Sequence, residues 1–106
     1  MALKIKDDAI QLIRDMRATL ETVRSHDAGL HDQMRRALTS IPLNIAEGEH
    51  KRGGNARLRF ETAMGSANEV RACLETAAAF GYIDANAKQI DALDRIARTL
   101  HRVMRA

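Results

Sequence analysis

The 106-residue chain has no tryptophan, one tyrosine and two phenylalanines. A protein that binds nucleic acid by stacking bases on aromatic rings needs more such side chains, so that mode is disfavoured. There is one cysteine, Cys73, which cannot form an internal disulfide; this fits a reducing compartment. No apolar run approaches the roughly 20 residues that cross a bilayer. The opening MALKIKDDAI is too charged for a secretory signal, and a cytoplasmic location is expected by elimination. β-branched runs are nearly absent, which argues against strands. Proline occurs once, as Pro42, inside an otherwise helical pattern.

What is present is helical. Ala, Leu, Arg, Glu, Met and Gln favour helix, and four apolar stripes recur at three- and four-residue spacing. The first runs Ile5, Ala9, Leu12, Ile13, Met16, Leu20 and Val23, a single helix of roughly five turns, with Ser25, Asp27 and Gly29 at its end. The second runs Leu30, Met34, Ala37, Leu38, Ile41 and Ile45, and Gly48 with Gly53–Gly54 is expected to close it. The third starts near Asn55 as N-cap and carries Phe60, Ala63, Met64, Ala67, Val70, Leu74, Ala77 and Ala78. After the turn Phe80-Gly81-Tyr82-Ile83, Asp84 is expected to cap the fourth, with Ala87, Ile90, Leu93, Ile96, Ala97, Leu100, Val103 and Met104. Short connections make an all-α, antiparallel up-down four-helix bundle the economical fold for this single domain, residues 1–106. Pro42 leaves two readings: a continuous helix kinked at the proline, or a break at Ser40 with a fresh helix. The in-phase Ile41 and Ile45 favour the kink.

The net charge of +3 is spread unevenly. Residues 1–29 balance, with five basic and five acidic side chains. Lys51, Arg52, Arg57 and Arg59 form a cluster that contains no acid. Arg95, Arg98, Arg102 and Arg105 share an arc of about 80° on the fourth helix, opposite its apolar stripe. These eight residues are the candidates for phosphate contact; the plain alternative for the fourth-helix ridge is a solvated face that complements the helix C-terminus. On the third helix Gly65, Ala72 and Ala79 fall a heptad apart off the core stripe, and Leu43 points away from the second stripe. Small residues and an outward leucine fit packing against another subunit.

Little in the chain asks for catalysis. The histidines His26, His31, His50 and His101 include no pair at helical ligand spacing. GEHKRGG lacks phosphate-loop spacing and no strand precedes it. Cys73 has no base assigned beside it. No catalytic residue, metal site or cofactor is therefore expected.

SIPLNIAEG (40–48), a basic turn, Phe60, GSANE (65–69) and FGYI (80–83) resemble the 23S rRNA intervening-sequence proteins. The family pattern is similar to SIP-x-NIAEG, a basic link, a phenylalanine, GS-x-x-E and LGYI, with Phe80 here replacing the usual leucine. The resemblance implies a small bundle that assembles as a homopentamer. It also implies kinship with accessory proteins of diversity-generating retroelements, which bind nucleic acid and a reverse transcriptase. Pro42, Asn44, Glu47, Gly48, Ser66 and Glu69 match the motif. They are expected to form a structural polar network in which Asn44 and Glu47 meet Ser66 and Arg71. Two functions follow as expectations: an RNA- or DNA-binding homo-oligomer, or a protein–protein scaffold without direct nucleic-acid contact.

Overall fold

The computed structural model describes residues 4–85 and 87–105. Five helices follow one another: α1 (Lys4–Asp15), α2 (Arg17–His26), α3 (Ala28–Glu49), α4 (Gly53–Ala79) and α5 (Ala87–Arg105). No strand occurs among the described residues. The four-rod arrangement holds, although the expected first helix is divided. At Met16 (φ −94°, ψ 0°) the amide is shared between the Leu12 and Ile13 carbonyls, at 2.9 and 3.2 Å. That tightens one turn, and the ladder then resumes from the Met16 carbonyl to the Leu20 amide. Met16 is fully buried, so α1 and α2 form one bent rod around the core.

Rods α1/α2 and α4 run one way, α3 and α5 the other. Gln89 at the start of α5 donates to the Asp15 carbonyl (3.2 Å) at the α1/α2 junction. Met34, Leu38, Ile41, Ile45, Val70, Leu74, Leu93, Ile96 and Leu100 fill the centre, each at most 2% exposed. Burying such side chains contributes about 1.5–3 kcal/mol apiece.

Helix α3 runs unbroken through the buried Pro42, which excludes the break at Ser40. The missing Pro42 amide leaves the Leu38 carbonyl without its usual helical donor. One turn away, Asn44 Nδ2 donates to both the Ser40 carbonyl and Ser40 Oγ, each at 2.9 Å. Ser66 Oγ on α4 donates to the same Ser40 Oγ at 2.8 Å. This short network joins α3 to α4 next to the proline.

Several boundaries differ from expectation. Asp27 is the N-cap of α3: its carboxylate accepts from the Leu30 amide at 2.9 Å. Gly48 lies inside α3 and does not end it. A Cβ there would stand 2.5 Å from the Phe60 ring, so the glycine is a seat for that ring. Helix α4 begins at Gly53 (φ +57°), placing Asn55 within its first turn and not at its cap. Helix α5 begins at Ala87, three residues past Asp84, too far for Asp84 to cap it.

A candidate nucleic-acid interface at one end of the bundle

The C-terminus of α3, the N-terminus of α4 and the C-terminus of α5 come together. Gly53 and Arg57 on α4 line a common hollow of about 390 Å³ with Val103 and Met104 on α5. The two basic groups read from the sequence therefore share one end of the bundle. Lys51, Arg52, Arg57 and Arg59 stand on the α3–α4 turn and first turns of α4, all exposed, while Arg102 and Arg105 are exposed on the outer side of the same end of α5, outside the hollow, with Arg102 lining a separate shallow depression with Ala97, Arg98 and His101. Arg98 lies one turn further up α5, and Arg95 is near mid-bundle, where it lines a depression with Leu12 and Asp15. Rod α1 runs antiparallel to α5, so its first turn, with Lys4 and also the acid Asp7, starts at this end. That contribution was not visible in the sequence, because nothing local links residue 4 to residue 102.

Carboxylates neutralise this end only in part. Arg57 Nε lies 3.0 Å from Glu61, and Lys51 Nζ lies 3.9 Å from Glu47, both pairs within one helical turn and well exposed. Exposed pairs of this kind are worth less than about 1 kcal/mol. No ion pair among the described residues engages Arg52, Arg59, Arg102 or Arg105; Arg102 donates to Thr99 Oγ1 at 3.3 Å. The charges are free to follow an anionic surface.

The motif residues separate into distinct contacts. Asn44 and Ser66 meet through Ser40, as expected of a structural network, but Glu47 pairs with Lys51 and stays outside it. Arg71 is directed to α5, where its guanidinium pairs with Asp94, with Glu75 at 4.0 Å. Glu69 accepts from Gln33 on α3 at 3.5 Å. The expected junction of Asn44 and Glu47 with Arg71 is thus not formed, because Arg71 lies on the α5 side of α4.

At the opposite end, Tyr82 Oη donates to Asp27 at 3.3 Å, while Phe80 and His26 lie against the Tyr82 ring at centroid distances of 5.2 and 5.1 Å. Desolvation, and then the Asp27 carboxylate, push the Tyr82 phenol above its ordinary value. Burial, and then the charge of Glu69, raise the Cys73 thiol likewise. Among the described residues no group of three or more His, Cys, Asp or Glu is arranged to hold a metal. No helix among them is long and apolar enough to cross a membrane.

Fold and surface together define a small antiparallel helical bundle with a basic end. The chain belongs to the 23S rRNA-intervening sequence protein family, whose model it matches over residues 1–106. It is similar to a crystal structure of a protein of unknown function from the S23 ribosomal protein family of Bacteroides thetaiotaomicron VPI-5482. The two share 20% identity and a TM-score of 0.85, over 96% of this chain and 99% of that one. At that identity the likeness shows the fold alone. No curated protein matches the chain.

Proposed function

We propose that the protein is a non-catalytic homo-oligomer, a pentamer by the family resemblance, that binds nucleic acid by phosphate contacts at its basic end. The observation that carries this reading is that Lys51, Arg52, Arg57 and Arg59 share one end of the bundle with Arg102 and Arg105. Repeating that end in every subunit turns a modest local charge into a multivalent surface. Contacts to phosphate carry little sequence information, and the scarcity of aromatic side chains argues against base stacking. Leu43, Gly65, Ala72 and Ala79, all exposed in the single subunit, supply the face on which subunits pack.

The test is titration of a labelled structured RNA, a single strand and a duplex DNA between about 50 and 200 mM salt. Binding with a steep salt slope, flattened by reversing Lys51, Arg52, Arg57 and Arg59 to glutamate, is the expected result. Absence of binding at the lowest salt contradicts this reading and leaves the protein scaffold, with a partner such as a reverse transcriptase to be sought directly.

A further inference from the structure

We propose that the groove between α1/α2 and α3 receives the outer face of α4 from a second copy of this chain, so that subunits join head to tail. The inference rests on the homo-oligomer reading and deepens it by naming the second of two surfaces. The groove, about 640 Å³, has a floor of Ile13, Leu20 and Leu38 and a rim carrying Arg17, Arg24 and Arg35. Glu21 is the lone acid on that rim and stands 3.7 Å from Arg24. No ion pair among the described residues engages Arg17 or Arg35.

The outer face of α4 has the complementary relief and charge. Leu58 extends Gly65, Ala72 and Ala79 into one heptad-spaced stripe, and Leu58 is 58% exposed. At about 100° per residue, Glu61, already paired with Arg57 at 3.0 Å, and Glu69 flank the stripe on either side, and α4 has no base between Arg59 and Arg71. Leu43, 60% exposed, lies on the outer edge of α3 beside this face. A Cβ added at Gly65 would meet nothing within 4 Å. Packing inside the chain therefore does not call for glycine there, whereas close approach of another subunit does.

Pairing α4 against α4 about a twofold axis at Gly65 would set Glu61 against Glu69 of the other copy and leave the arginine groove open. Head-to-tail pairing sets acid against base and aliphatic floor against small-residue stripe. The groove opens between two rods and the stripe lies on the outer side of a third, so the two surfaces are distinct and a contact between them is heterologous. Heterologous contacts close into a ring where the rotation between neighbours allows it and otherwise run on as a filament.

Two variants test this by sedimentation velocity, with helicity by circular dichroism as the check on folding. The groove variant is Arg17→Glu with Arg35→Glu; the face variant is Gly65→Arg with Ala72→Arg. Wild type is expected to sediment as an oligomer of the 11.8 kDa chain, and each variant alone as a monomer. Their equimolar mixture should form a dimer, because the intact face of one fits the intact groove of the other. A groove variant that assembles like wild type, or a mixture that stays monomeric, overturns head-to-tail pairing and leaves the homo-oligomer reading standing. A monomeric wild type removes both. If the groove variant loses helicity, Arg17→Gln with Arg35→Gln takes its place and is held to the same outcomes.

Discussion

At the scale of single residues, two glycines in helix interiors behave oppositely. Alanine at Gly48 would place Cβ 2.5 Å from Phe60 Cε1. Overpacking of that kind costs about 1–3 kcal/mol, so Gly48→Ala should lower the urea midpoint by that equivalent, and adding Phe60→Leu should recover part of it. A midpoint unchanged by Gly48→Ala would show that the ring is not seated as described. Gly65 has open space, and in an isolated subunit Gly65→Ala should stabilise by about 0.8–1 kcal/mol through helix propensity. Gly48 is legible in the sequence as a special position, but for the wrong reason: a glycine near a helix end reads as a stop. Its actual partner, Phe60, is distant in the chain and on another helix.

Cys73 offers a pH test at the same scale. Its thiol pKa is raised above the ordinary 9.0, by burial first and Glu69 second. The folded chain therefore keeps that proton to higher pH than the unfolded chain does. The associated stability is complete below about pH 9 and declines as pH rises through the folded value. Cys73→Ala should flatten this alkaline decline. At pH 8 the native thiol should react with iodoacetamide far more slowly than the thiol in urea; equal rates would contradict the burial.

At the scale of helices, the apolar periodicity located the four rods and their core faces, because burial on one side imposes that spacing wherever a helix packs. Boundaries were less legible. Met16 divides the first rod although its stripe continues without interruption, because a turn can tighten while every side chain keeps its face. Asp27 was readable only as punctuation, yet its carboxylate caps α3 at Leu30 and accepts from Tyr82 across the bundle end. Asp27→Ala should cost about 1 kcal/mol or more from the cap alone. Tyr82→Phe should cost less, since it removes only a 3.3 Å bond. Pro42 shows how tertiary packing overrides propensity. Buried in a continuous helix, it sits beside the Asn44–Ser40–Ser66 network that secures the neighbouring turn to α4.

At the scale of the molecule, the sequence showed two basic groups but not their relation. Residues 51–59 and 95–105 are separated along the chain by the length of α4 and the final turn. Only the antiparallel return of α5 beside α4 brings Arg102 and Arg105 to the Lys51–Arg59 end. The same topology leaves Arg95 partway up the bundle, so the eight candidates divide into an end cluster and a less central remainder. Leu58, the missing member of the Gly65–Ala72–Ala79 stripe, was recoverable from heptad counting.

The central claim is that one end of the bundle is the phosphate-binding surface, and the salt dependence of RNA affinity tests it most directly. Arg102→Glu with Arg105→Glu should weaken binding and lower the slope of log affinity against log salt, as should Arg52→Glu with Arg59→Glu. Lys88→Glu, at the start of α5 beside the mid-bundle depression and away from the basic end, should leave that slope unchanged. Equal losses from Lys88→Glu and from the Arg102 and Arg105 reversals would contradict a localised surface, and no RNA binding by wild type at about 50 mM salt would contradict the account as a whole.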